Sequence, residues 1–191
     1  MSVSVEYDES NIPPIFPPPT TLEELLVGFE DFGVPGEHPD NTGGFYTDGN
    51  PSGLSGDVYA FSIDAGAFAF SAVGDLTYDF SSHTLHGTLE GLTLGGGLNS
   101  DGTVDSDFIT FTFDEPLVGD LADGRENVVH DVIWGLMNGS VVGADDSAGT
   151  GTNGGLINAL EENGLDPSDV LLADLVGVSA ASSDFDLALA A

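Results

Sequence analysis

The chain has no cysteine, and among its 191 residues only one basic side chain, Arg125. Without thiols there is neither a disulfide framework nor a thiolate metal site. Against that single arginine stand 33 Asp and Glu, for a formal net charge of −32. Nucleic-acid binding depends on cations that displace phosphate counterions, so this balance excludes it, together with electrostatic attachment to anionic membranes. No run of about 18 apolar residues occurs, and none is expected to insert into a membrane. The opening "MSVSVEYDES" lacks the basic and apolar regions of a Sec signal, so export would need another route.

Acidic chains are often disordered, but here 40% of residues are hydrophobic and the mean hydropathy is slightly positive, at +0.10. The chain is therefore expected to fold, as one domain with its carboxylates outside. Like charges at this density repel one another, and salt relieves that by shortening the screening length to about 3 Å near 1 M. A salt-loving source is the reading that follows.

"SVSVEYD" alternates Val3, Val5 and Tyr7 as a first strand. The prolines of "NIPPIFPPP" make an extended connector, or a ligand for a proline-reading module. "TTLEELLVGFEDFG" predicts a helix capped by Thr20 with Glu23, with Leu22, Leu25, Leu26 and Phe29 on one face, ending near Gly33. Residues 33–51, with His38 near the middle, read as loop. From Ser55 to about Phe113, apolar residues fall at every second position between short turns, the pattern of an antiparallel meander. "ENVVHDVIWGLMNG" returns to helical spacing through Val129, Val132, Ile133, Leu136 and Met137. "GGLINALEENG" follows, and then "DPSDVLLADLVGV", with Asp166 as cap and Pro167 at the first helical position. Strands grouped together with helices mostly after them give an α+β fold, one antiparallel sheet with helices on one side.

The stretch "LTYDFSSHTLHG", residues 76–87, carries the chemistry. If Ser81 and Ser82 form the loop, Tyr78 faces Leu85, Phe80 faces His83, and all four share one face of the sheet. Tyr78 and His83 then lie about 7 Å apart at Cα, within reach of a phenol–imidazole hydrogen bond; a three-residue loop would put them on opposite faces. A phenolate is a hard ligand for ferric iron, but a free phenol ionises only near pH ~10, so an imidazole that accepts its proton makes the oxygen available. A tyrosine at a sheet surface, simply bonded to a nearby histidine, has the same spacing. His86 falls on the other face, and His130, on the helix that carries Met137, reads as a structural hydrogen-bonding group. The Gly/Asp-rich stretches "GGGLNSDG" and "GADDSAGTGTNGG" fit no EF-hand spacing and read as loops.

"LTYDFSSHTLHG", the preceding "SGDVYA" at 55–60, "GGFY" at 43–46 and "VVHDVIWGLMNGS" at 128–140 together resemble the HasA haemophores, secreted haem-scavenging proteins of Gram-negative bacteria. The ending "DFDLALAA" is similar to that family's type I secretion signal, giving one haem-binding domain over 1–183 and a secretion tail over 184–191. The resemblance implies a curved antiparallel sheet backed by helices, with ferric haem b (iron protoporphyrin IX) held between two loops. It makes Tyr78 the iron ligand, His83 the imidazole bonded to it, and Met137 a residue packed against the macrocycle. The opposite loop offers His38 as second ligand, although its distance from "GGFY" departs from the family's usual spacing and some members bind through tyrosine alone. The turn between Tyr78 and His83 is also shorter than in the best-known members.

The implied function is an extracellular, non-enzymatic carrier that takes haem from host or environmental haemoproteins and delivers it to an outer-membrane receptor. A haem peroxidase would need a distal histidine with arginine or asparagine over an open iron site, and one arginine leaves no such constellation. The remaining alternative is a secreted calcium-binding or structural module without haem.

Overall fold

The alternation that begins at Ser55 resolves into strands in the computed structural model, which describes residues 2–35, 41–63, 66–146 and 149–176. The strands are β1 (Val3–Tyr7), β2 (Gly44–Thr47), β3 (Asn50–Ser52), β4 (Ser55–Ser62), β5 (Ala69–Asp79), β6 (Thr84–Leu98) and β7 (Val104–Gly119). They form one seven-stranded sheet in the order β1-β7-β6-β5-β4-β2-β3. Every pairing is antiparallel, and β4 to β7 are the expected meander. The helices are α1 (Leu22–Glu30), α2 (Val128–Met137), α3 (Gly155–Glu162) and the single turn α4 (Leu172–Leu175). The fold is α+β, as the sequence predicts.

One element was not foreseen. The stretch read as loop over 33–51 contains the β2–β3 hairpin, closed by Asp48 and Gly49, both at positive φ (50° and 71°). An Asp-Gly pair with both residues left-handed suits the twist of a two-residue hairpin, so "TDGN" carried the signal. The cap of α1 is also one residue later than predicted: Thr21 and Glu24 form a capping box, and the Glu24 carboxylate accepts from Thr20 as well. "DPSDVLLADLVGV" yields a shorter helix than predicted, because Pro167 and Val170 give their carbonyls to the amides of Glu23 and Leu22. Leu171 bridges Thr21 in the same stretch, so those residues bind the start of α1 instead of coiling.

Leu22, Leu25, Leu26 and Phe29 of α1 and the predicted stripe of α2 are all buried in a single core with the strands. Each such side chain contributes about 1.5–3 kcal/mol. Phe29 stacks on Phe68 at 4.4 Å and meets Phe108 edge-on at 5.1 Å. Helix α3 has no side-chain cap of its own; the buried Asp131 carboxylate of α2 accepts from the amides of Asn153 and Gly155 and serves instead. Where α1 and α2 end, Gly33 and Gly139 touch backbone to backbone, and a Cβ on Gly33 would come within 2.4 Å of the Gly139 Cα. The Glu30 carboxylate reinforces that contact by accepting from the Val141 amide at 2.6 Å.

The sheet is bent by bulges, and two of them decide where the Tyr78 hairpin points. The β5–β6 register slips between Val73 and Leu76, and the β6–β7 register slips between Leu89 and Gly91. Gly74 and Gly87 lie at the β5–β6 slip, each with its Cα so close to the facing strand that a Cβ would be 2.0 Å from a carbonyl oxygen (Thr88 and Asp75). The bulge raises the local twist and swings the strand ends away from the sheet's mean plane. Replacing Gly87 (φ 120°) with alanine should therefore cost about 2 kcal/mol or more, read as a fall in the denaturation midpoint in high salt.

Candidate functional site

Strand β7 pairs with β6 only as far as Gly87↔Gly119, so beyond that point the β6 edge is bare while β5 still covers its other side. Two side chains at the start of α2 replace the missing strand. The Asn127 amide donates to the Leu85 carbonyl at 2.9 Å, and the Leu85 N–H donates to His130 Nδ1 at 3.1 Å. The helix is thereby fastened to the hairpin that carries Tyr78.

The hairpin keeps the predicted register, Tyr78↔Leu85 and Asp79↔Thr84, and its ladder stops there, leaving Phe80 to His83 as the turn. Parity is preserved, and the Tyr78 hydroxyl meets His83 Nδ1 at 2.6 Å. His83 adopts a left-handed backbone, φ 56°, unusual for a residue with a Cβ. The turn is stabilised by Asp79, whose Oδ1 accepts from the Ser81 hydroxyl and from both the amide and hydroxyl of Ser82. Those hydrogen bonds hold the Asp79 carboxyl down at about 2.

Tyr78, Phe80 and His83 form one wall of a cleft of about 500 Å³; Trp134 and Met137 of α2 line it as well, as do Thr42 to Phe45. Burial raises the Tyr78 phenol above its usual range, with Asp79 adding to the rise and Arg125 opposing it. The phenol alone is thus protonated at neutral pH, and Lewis acidity or a proton acceptor is needed to expose its oxygen. Tyr59, deeper in the cleft, is raised further by its burial and donates to the Thr42 carbonyl at 2.8 Å. With Asn41, which donates to the Ser62 carbonyl, it anchors the chain entering β2.

His130 is 4% exposed and stacks against Trp134, ring centroids 6.0 Å apart. Its Nδ1 accepts from Leu85, so the neutral ring carries its proton on Nε2. That Nε2 is a buried polar atom with no hydrogen-bond partner, on a residue that lines the cleft. Arg125 also lines the cleft, in an ion pair with Asp146 at 2.7 Å.

The structure thus brings Tyr78, His83 and Met137 to one cleft. His38 lies outside the described residues. His86 pairs with Thr77, half buried and away from the cleft, as the alternation requires. His130 makes the structural bond expected of it and also faces the cleft. Arg125, Tyr59 and Trp134 were not foreseen as parts of the site, although the uniqueness of the arginine was a usable signal. Among the described residues no group of three or more His, Asp or Glu could hold a bare metal ion, and the Gly/Asp loops gather none.

Burial, with the Arg125 charge, lowers the His130 pKa to about 4. The unfolded imidazole binds its proton near pH 6.5, so this residue's contribution is complete above 6.5 and is lost as the pH falls towards 4. The loss amounts to about 3 kcal/mol. A His130→Gln variant should show a shallower fall in stability over that interval, and an NMR titration of wild type should find the ring neutral down to about pH 4.

The sequence profile described as Heme-binding protein A (HasA) matches residues 1–191. The chain is 36% identical over 159 residues to the hemophore HasA of Serratia marcescens, covering 75% of this chain and 76% of that protein. Among solved structures, the holo hemophore HasA of Yersinia pestis superposes with a TM-score of 0.56 at 24% identity, over 73% of this chain and 83% of that one. A mutant monomer of HasA from Yersinia pseudotuberculosis gives 0.57 at 23% identity, over the same shares. These structures share the open antiparallel sheet with its few helices. A profile matched from end to end and a relative above 30% identity over three quarters of the chain have one meaning: this chain belongs to the HasA family of haem-binding proteins.

Proposed function

We propose that this protein is an extracellular haem carrier that captures ferric haem b through Tyr78 and gives it up to an outer-membrane receptor. The family carries haem and is not enzymatic. The observation that carries the reading is the 2.6 Å contact between the Tyr78 hydroxyl and His83 Nδ1 at the wall of an aromatic-lined cleft. Ferric iron is a Lewis acid that favours the anionic phenol oxygen, and His83 Nδ1 is placed to take the proton released. The two requirements left open by the raised phenol are met by cargo and neighbour together.

The cleft also suits the cargo's two chemically distinct edges. Trp134 and Met137 supply flat and polarisable apolar surface for a macrocycle. Its propionates call for donors, and the cleft holds the chain's one cation, Arg125. His38, in the stretch 33–51, is the candidate for the second axial position. The tail over 184–191 is proposed as the secretion signal, and host or environmental haemoproteins as the haem source.

Haemin titrations followed by absorption spectra test the ligand set. Tyr78→Ala should abolish the phenolate-to-iron charge-transfer band. Removing a group that orients a metal ligand costs about 10- to 100-fold in affinity, the loss expected for His83→Ala, with Tyr78→Ala losing more. A Tyr78→Ala protein with the wild-type spectrum would refute the assignment.

The charge of −32 adds a second expectation. Haem with ionised propionates is an anion, repelled at low salt, where the screening length is about 10 Å at 0.1 M, and far less so at 1 M, where it is about 3 Å. Stopped-flow association rates should therefore rise by roughly tenfold or more with added salt. A rate independent of salt would place the haem entrance outside the protein's field.

A further inference from the structure

We infer that Arg125 is a positioning residue for His83, acting through the Ser82 carbonyl, so that one guanidinium links the cargo's acidic edge to the Tyr78–His83 pair. The inference rests on the haem-binding reading above and concerns what aligns the pair.

His83 holds its Nδ1 against the Tyr78 hydroxyl from a left-handed backbone, which a residue with a Cβ keeps only when its surroundings enforce it. Two constraints meet at the preceding residue. From within the turn, Asp79 Oδ1 accepts the Ser82 amide at 2.8 Å. From outside, Arg125 Nε donates to the Ser82 carbonyl at 3.2 Å. Asp79 thereby holds the peptide before Ser82, while the Ser82 carbonyl, part of the peptide plane leading into His83, is held by Arg125 together with the Thr84 hydroxyl at 3.4 Å.

Arg125 is itself held in place. Its Nη1 donates to Asp146 Oδ2 at 2.7 Å, and the Asp146 side chain is only 4% exposed. Asp146 Oδ1 accepts the Thr150 amide at 2.9 Å, which ties the pair to the loop after α2. A guanidinium can serve Ser82 through Nε and Asp146 through Nη1 because its donors diverge in one rigid plane; an ammonium on a flexible stem has no equivalent of Nε. The arrangement runs from the Thr150 amide through Asp146, Arg125, Ser82 and His83 to the phenol.

If Arg125 were only a counter-charge for propionates, its removal would have no effect on a cargo without charged propionates. Wild type, Arg125→Lys and Arg125→Gln are to be loaded in high salt with ferric haem and, separately, with ferric haem dimethyl ester. The phenolate-to-iron band and the rate of haem loss to apomyoglobin are then recorded. With the ester, both variants should lose the cargo about 5- to 30-fold faster than wild type and show a displaced band, the size expected for one charge-assisted hydrogen bond. Lysine should not rescue. Variants that match wild type with the ester, and differ only with haem, would overturn the inference. Should either replacement unfold the chain by circular dichroism, Asp146→Asn takes its place: faster ester loss is expected, and an unchanged rate overturns the inference. Tyr78→Ala in the same series separates the two failures. If it keeps the band, the ligand assignment is wrong; if it loses the band while the Arg125 variants behave as wild type, only the role given to Arg125 falls.

Discussion

A backbone amide and carbonyl withdrawn from water need partners, and at Leu85 the sheet supplies none on one side because β7 has already ended at Gly119. Asn127 and His130 meet that need, and most features of the site follow from their doing so. Their bonds fix α2 against the β5–β6 hairpin, which brings Trp134 and Met137 into the same cleft as Tyr78. They also fix the tautomer of His130: with Nδ1 committed to Leu85, the proton must reside on Nε2, which is buried without a partner. A structural requirement of the fold thus sets the tautomer of a residue that lines the cleft.

The distribution of charge has a comparable logic. Carboxylates at the surface cost little where salt screens them, and several do local work there: Asp79, Asp101 and Asp166 each close a turn on a neighbouring hydroxyl and amide. Their hydrogen bonds lower these carboxyl pKa values, so they remain anionic well into acid. The single cation, by contrast, lines the cleft and is mostly shielded from solvent, where Coulomb interactions are strongest.

Much of this was legible in the sequence, for reasons that differ by element. The strands from β4 to β7 and the stripe of α2 were readable because burial imposes a period on apolar residues. The meeting of Tyr78 with His83 followed from parity, which tolerated a turn of unregistered length because the count between the strands stayed even. The β2–β3 hairpin was missed because Gly, Pro and Asn dominated its composition, while the Asp48–Gly49 pair that closes it is a two-residue signal. The short α4 was overcalled because local capping residues say nothing about a distant backbone competing for the same carbonyls. Arg125, Tyr59 and Trp134 escaped as site residues because their roles depend on contacts across the chain, from Ser82 to Asp146 and from Thr42 to Tyr59, which no local period encodes.

The close approach of Gly33 to Gly139, and the anchoring of Asn41 and Thr42 by the Ser62 carbonyl and the Tyr59 hydroxyl, put two fixed posts on either side of residues 34–40. Whatever sequence lies between them, its ends are already determined, so insertions and deletions between the posts would leave the sheet undisturbed. The hairpin that carries Tyr78 is thus part of the framework, whereas the chain between the posts is open to exchange.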